Sequence, residues 1–197
     1  MITAIILASG FSRRMGRNKL LLKYRGKSMI EHTIEIILQC GFSEVILVAR
    51  EEEIIEIGNR NGLKVIKNEN AVKGISESIK LGVMHAKQTD GYMFFTADQP
   101  FLDKATVKEL TAEFTEDSAY IIVPRYEERR GSPVTFPCRF KEDFLKLQGD
   151  VGGKVIINKN LEKVKYVEIQ DGRNLFDIDT KENYDYILKL EENDKHV

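Results

Sequence analysis

A chain of 197 residues, 42% hydrophobic and 31% charged, is long enough to bury a core and too apolar to stay unfolded. Its formal net charge of −1 provides no bulk field for nucleic acid or an anionic membrane, so any phosphate ligand must be held by local charge. No apolar run approaches the ~20 residues that span a bilayer, two cysteines (Cys40, Cys138) fit neither a disulfide framework nor a zinc spacing, and His32, His85 and His196 are too scattered for a metal cluster.

The opening Met1-Ile2-Thr3-Ala4 has no basic leader, which sets the expectation of no signal peptide and a cytoplasmic location. Residues 4–8 read as a buried strand, apolar without alternation. Residues 28–40 read as a helix opened by a Ser28/Glu31 capping box, striped by Ile30, Ile34, Ile37 and Leu38, and ended by Gly41. Strands follow at 45–49, 63–67, 92–97 and 119–123, with helices at 51–61, 76–86 and, capped by Asp103, up to about Phe114. This β/α alternation implies a parallel sheet with helices on both faces. Beyond residue 124 the pattern loosens: short strands are expected at 134–136, 165–169 and 175–178, and helices at 143–147, 153–158 and 181–190. Residues 1–190 are expected to form one domain, followed by a charged tail at 191–197 that frays.

Chemistry-bearing residues cluster in six segments. In Leu7-Ala8-Ser9-Gly10-Phe11-Ser12-Arg13-Arg14-Met15-Gly16-Arg17-Asn18-Lys19, a glycine loop follows directly on a buried strand. Such a loop can turn backbone N–H groups toward phosphate oxygens, and Arg13, Arg14, Arg17 and Lys19 can offset a triphosphate's charge. The spacing is neither a P-loop nor G-x-G-x-x-G, and a plain turn with solvated arginines is the competing reading. Asp98 ends a buried apolar strand, where open α/β sheets bind ligands and where a carboxylate suits Mg²⁺; a turn-starting aspartate is the alternative. In Asp177-Ile178-Asp179-Thr180 an extended backbone places both aspartates on one face and Ile178 in the core; either aspartate is a candidate metal ligand, and Asp179 is equally a helix cap.

Gly74-Ile75-Ser76-Glu77-Ser78-Ile79 reads as a glycine turn into a helix N-terminus that suits a base or phosphate, with Ser76 as its simple N-cap. Arg130-Gly131-Ser132-Pro133 is a stiff loop beside a basic pair, bordering an acceptor pocket or merely connecting elements. The role of Gly149-Asp150-Val151-Gly152-Gly153-Lys154, a glycine-rich turn into a helix, is not readable from residue chemistry.

Taken in order, these segments resemble the MobA-like NTP transferase family over nearly the whole chain. The opening motif is similar to L-A-A-G-x-S-x-R-M-G-x-x-K-L-L-L of the molybdenum cofactor cytidylyltransferase branch, with Ser9 in place of the second alanine. G-I-S-E-S-I-K-L-G, A-D-Q-P-F, G-S-P-V, G-D-V-G-G-K and D-I-D-T follow in the expected sequence, although Gly153-Lys154 stands where Ala-Arg is usual.

The resemblance implies a Rossmann-like three-layer α/β/α sandwich with a mostly parallel sheet, of the nucleotide-diphospho-sugar transferase type. It implies that Leu7, Ala8, Gly10, Arg14 and Lys19 hold the nucleotide, that Gly74 and Ser78 lie near base and ribose, that Asp98 and Asp179 bind Mg²⁺, and that Arg14, Lys19 and Asp98 carry catalysis. The implied reaction moves CMP from CTP to the molybdenum-molybdopterin cofactor with release of pyrophosphate. A GTP donor, a different phosphorylated acceptor, and a non-catalytic accessory protein that hands the cofactor to a molybdenum hydroxylase stand as alternatives.

Overall fold

The computed structural model describes residues 1–194. In chain order the elements are β1 (Ile2–Ala8), β2 (Lys23–Tyr24), β3 (Lys27–Ser28), α1 (Met29–Leu38), β4 (Glu44–Ala49), α2 (Glu52–Arg60), β5 (Lys64–Lys67), α3 (Ile75–His85), β6 (Gly91–Thr96), α4 (Lys104–Glu116), β7 (Ile121–Tyr126), β8 (Arg129–Arg130), β9 (Val134–Pro137), α5 (Lys141–Leu145), α6 (Lys154–Lys159), β10 (Val164–Glu168) and α7 (Lys181–Asp194). No helix among the described residues is long and apolar enough to cross a membrane.

The main sheet runs β10-β7-β9-β6-β1-β4-β5, with β8 hairpinned onto β7. All its path neighbours pair parallel except β9, which is antiparallel to both β6 and β7. β1 alternates its side chains between two cores. Ile2, Ala4, Ile6 and Ala8 join α1, α2 and α4 through Ile30, Ile34, Ile54, Ile57, Val107, Leu110 and Phe114. Ile5 joins α3, α5 and α6 on the other face through Ile79, Val83, Phe144, Ile156 and Ile157. Both faces are apolar because both are covered, which is why the strand reads as an unbroken hydrophobic run. This is the mostly parallel, Rossmann-like α/β/α sandwich that the resemblance implies.

Chain order reverses across the sheet beside β1: β4 and β5 lie on one side of it, β6 and the later strands on the other. The crevice at the carboxyl ends of β1 and β6 is therefore the natural ligand site of such a sheet.

The capping box at Ser28 forms as expected, Ser28 N donating to Glu31 Oε2 at 2.8 Å. Leu38, counted in the apolar stripe of α1, is instead 47% exposed; Ile34 and Ile37 fill that face. Residues 175–178 are not a strand. Asp171 Oδ1 accepts from Arg173 N and its carbonyl from Asn174 N, which coils Gly172–Leu175 into a 3-10 turn. The segment that follows is tied to the sheet through Ile178 N, which donates to the Asp98 carbonyl at 3.0 Å. The expected fray at 191–197 is corrected in part: α7 continues through Asp194, and Glu191 accepts a hydrogen bond from Arg25 N at 3.0 Å. Residues 195–197 lie outside the described residues.

A hairpin that periodicity cannot detect, β2–β3, turns at Arg25 (φ 46°) and Gly26 (φ 81°), the two positive φ values a tight hairpin favours. It packs with α7 in a small third core of Leu22, Tyr24, Met29, Ile178 and Ile187. That core fixes the Asp177–Thr180 segment against the end of β6.

Candidate active site

A cleft of about 610 Å³ opens at the carboxyl ends of β1 and β6. Of the nine residues expected to form the site, Leu7, Gly10, Arg14, Lys19, Gly74, Ser78, Asp98 and Asp179 line it. Ala8 does not: it is 1% exposed and belongs to the α1/α2/α4 core, because strand alternation sends it to the face opposite Leu7. Only the backbone of Ala8 is left to reach a ligand.

The loop after β1 is held from several sides. Ser12 adopts a left-handed conformation (φ 47°), its carbonyl accepts from Met15 N at 2.8 Å, and its hydroxyl accepts from Lys19 N at 3.1 Å. Asn18 Nδ2 donates to Glu51 Oε2 at 2.6 Å, and Glu51 Oε1 pairs with Arg50 at 2.5 Å. The Arg50 guanidinium lies 4.2 Å from the Phe11 ring centroid. This Asn18–Glu51–Arg50–Phe11 chain ties the loop to the β4–α2 corner. Sequence reasoning missed it, because Glu51 reads locally as no more than an acidic residue before a helix. Ser9, the departure from the motif, donates its hydroxyl to the Val48 carbonyl at 3.1 Å.

The electrostatic centre of the cleft is Lys19. Its Nζ donates to Asp98 Oδ2 and, at 2.8 Å, to Asp179 Oδ1, while Arg14 approaches Asp179 Oδ2 at 3.5 Å. Burial pulls the Lys19 pKa down, but Asp98 and Asp179 outweigh it and the net shift is upward. The Lys19 hydrogen bond in turn holds Asp179 below the usual aspartate value, against a smaller opposing effect of burial. The second oxygen of Asp98, Oδ1, is buried and has no partner among the described residues. An orphaned carboxylate oxygen is costly to bury, so it marks a place where a cation or donor belongs.

The competing reading of Asp179 as a helix cap is corrected. Thr180 Oγ1 accepts from Asn183 N at 3.3 Å, and Asn183 Oδ1 accepts from Thr180 N and Asp179 N. The cap is therefore served by Thr180 and Asn183, which leaves the Asp179 carboxylate free for Lys19 and Arg14. Ile178 is fully buried, as the period-2 reading requires. Asp177 stands near the same charges but is not in the cleft wall. Burial, then repulsion from Asp98 and Asp179, pushes its pKa up to about 6 against the attraction of Lys19 and Arg129.

On the opposite wall, two segments left separate by the sequence come together. Gly74 (φ 105°) precedes α3 and abuts the backbone of Gly149 and Asp150; Ser76 N donates to the Gly149 carbonyl at 3.3 Å and Ile75 N to Asp150 Oδ1 at 3.4 Å. Asp150 lines the cleft and was not singled out in advance. Ser76 is not the N-cap of α3: Gly74 holds that position, and the Ser76 hydroxyl is buried without a partner. Ser78 receives a hydrogen bond from Asn68, another residue that sequence reasoning passed over. On the far side of Asp98, Gln99 Nε2 donates to the Ser132 carbonyl at 3.3 Å, placing the 130–133 loop beside the cleft end of β6. Arg130 and Lys154 are exposed and do not line the cleft.

The arrangement can hold a polyphosphate: cations from the loop after β1 face a carboxylate pair, Asp98 just past β6 and Asp179 in the segment tied to it. Comparison with known proteins agrees. The family model described as the MobA-like NTP transferase domain matches residues 4–164. The purine catabolism protein PucB of Bacillus subtilis (strain 168) is 30% identical over 202 residues, 95% of this chain and 96% of that protein. A probable molybdenum cofactor guanylyltransferase of Natranaerobius thermophilus is 34% identical over 125 residues, 62% of this chain but 60% of that protein's own length. The crystal structure of Rv0371c from Mycobacterium tuberculosis H37Rv has a TM-score of 0.83 at 25% identity and covers 96% of this chain and 98% of that one. The chain is a nucleotidyltransferase belonging to the MobA-like NTP transferase family.

Proposed function

We propose that this protein transfers CMP from CTP to the molybdenum-molybdopterin cofactor and releases pyrophosphate in the cytoplasm. The observation that carries the reading is the Lys19 ammonium held between Asp98 and Asp179, with one Asp98 oxygen left open, in a cleft floored by the loop after β1.

An acceptor phosphate oxygen attacks the α-phosphorus of the nucleotide. The new P–O bond forms as the bond from the α-phosphorus to the bridging oxygen of the β-phosphate breaks, and pyrophosphate carries away the electron pair. The nucleophile is already an anion near neutral pH, so no general base is required. This agrees with a cleft whose lining, among the described residues, contains lysine, arginine and aspartate but no histidine. Catalysis then rests on positioning and charge neutralisation. Lys19 and Arg14 offset the charge that grows on the leaving pyrophosphate, and the Gly10 loop turns its backbone toward the phosphates.

Asp98 and Asp179 are the residues that would hold Mg²⁺. Asp98 Oδ1, buried without a partner, is the observation that fits such an ion. No three carboxylate, imidazole or thiolate groups among the described residues are gathered into a ready cage, and a site completed by substrate phosphates needs only one or two carboxylates. When bound there, the ion supplies charge neutralisation to phosphate oxygens.

Support for CTP comes from the Leu7–Leu22 motif. Support for GTP, the second reading, comes from the relative named as a guanylyltransferase. Incubation with molybdenum cofactor and each of CTP, GTP, ATP and UTP, followed by mass spectrometry of the product, separates them. A cytosine dinucleotide is the expected product. A guanine dinucleotide would transfer the reading to the GTP donor, and unmodified cofactor with every nucleotide would reject the acceptor.

A further inference from the structure

Ser78 lines the cleft, yet what its hydroxyl offers to a ligand is decided by a residue behind it. Asn68, 1% exposed, sits just past β5 and reaches α3 with its side chain. Its Oδ1 accepts from the Asn70 backbone N–H at 3.0 Å, and its Nδ2 donates to Ser78 Oγ at 3.0 Å. The orientation of this amide is not arbitrary. A backbone N–H can only donate, so the atom facing Asn70 must be the oxygen, and the atom facing Ser78 must be the NH₂ group. Ser78 Oγ is thereby committed to accepting from Asn68. No protein acceptor among the described residues takes its hydroxyl hydrogen, and that hydrogen remains available to the cleft.

We propose that Asn68 is a positioning residue that fixes Ser78 as a hydrogen-bond donor toward an oxygen of the nucleoside half of the bound NTP, either a base carbonyl or a ribose hydroxyl. This rests on the reading of the cleft as an NTP site. The same asparagine also braces the wall it serves, since Asn70 leads into the Ala71–Lys73 turn at the cleft edge. Nucleotide affinity therefore depends on the polarity of residue 68 and not only on its bulk.

Asn68→Asp tests this, because it keeps the shape and the bond from Asn70 but puts an acceptor opposite Ser78. The Ser78 hydroxyl must then donate to residue 68 and is lost to the ligand. CTP and GTP, with Mg²⁺ and without acceptor, are titrated calorimetrically into wild type, Asn68→Asp, Asn68→Ala, Ser78→Ala and the Asn68→Asp/Ser78→Ala double variant, which keeps the bond from Asn70, with thermal midpoints measured alongside. Loss of one hydrogen bond predicts roughly five- to tenfold weaker binding of the preferred nucleotide in each single variant. The double variant should bind no more weakly than Ser78→Ala alone, because Asn68 acts through Ser78. Asn68→Ala keeps the test open should the aspartate variant not fold. A penalty that vanishes with a 2′-deoxy or 3′-deoxy nucleotide assigns the bond to the ribose; one that persists assigns it to a base carbonyl. Wild-type affinity in Asn68→Asp, or additive losses in the double variant, would overturn the inference and leave the NTP site standing. A wild-type protein that binds neither nucleotide overturns both.

Discussion

Replacing Gly74 by alanine tests whether the junction between α3 and the Gly149–Asp150 turn is what builds the nucleoside wall of the cleft. A Cβ at this position would lie 2.5 Å from the Asp150 amide nitrogen and closer still to the Gly149 carbonyl, and both obstacles are backbone. Gly74 also has φ 105° and ψ 178°, a region open essentially to glycine alone. Backbone strain of this kind costs about 1–3 kcal/mol, and overpacking against groups that cannot rotate away adds about 1–3 kcal/mol. The expected loss is therefore about 2–6 kcal/mol, read as a fall of roughly 4–24 °C in Tm for a chain of this size. The displacement separates Ser76 N from the Gly149 carbonyl and moves the wall carrying Ser78, so the Kd for nucleotide should rise together with the stability loss. Chemical denaturation and nucleotide titration of Gly74→Ala measure both. A variant within 0.5 kcal/mol of wild type, the range of ordinary surface substitutions, and with unaltered Kd, would refute this account of the junction.

Asp98→Ala should abolish turnover while circular dichroism and Tm stay close to wild type, since Lys19 keeps its bond to Asp179; normal turnover would remove Asp98 from the chemistry. Lys19→Ala should lower kcat by about 10²-fold or more, as loss of other preorganised transition-state charge partners does, and a drop below tenfold would make Lys19 merely supportive. Asp177 has its folded-state pKa raised from 3.8 to about 6, so the native state holds this proton more tightly than the unfolded chain. Its ionisation is an unfavourable contribution that is absent below about pH 4 and complete once the pH has risen through 6. Asp177→Asn should therefore be more stable than wild type at pH 7–8, with the gap in Tm closing as the pH falls toward 4; a gap independent of pH would contradict the origin assigned to the shift.

The layered fold was legible because each of its long elements carries a local signal. Unbroken β-branched runs mark strands covered on both faces, and the Ser28/Glu31 box marks the start of α1. Elements set by distant contacts were not legible. The two-residue strands of the β2–β3 hairpin are too short for periodicity. The antiparallel direction of β9 is a matter of pairing between β6 and β7, and residues 175–178 carry a strand-like composition that the Asp171 turn overrides. The same division runs through the site. Lys19, Asp98 and Asp179 lie where strand ends and loops announce them. The Asn18–Glu51 bond spans 33 residues, and Asn68, only ten residues from Ser78, reaches it through a fold that no local pattern reports. Thr180 decided between two roles for Asp179 that spacing had left open.

The central claim is that the Lys19–Asp98–Asp179 cleft catalyses nucleotidyl transfer to a phosphorylated acceptor, and one measurement addresses it most directly. Pyrophosphate release by the purified protein is followed with each of the four NTPs, with and without molybdenum cofactor, in wild type and Asp98→Ala. The account predicts release that requires the cofactor, is fastest with CTP, and disappears in Asp98→Ala. Release that ignores the acceptor, or that survives the loss of Asp98, would contradict it.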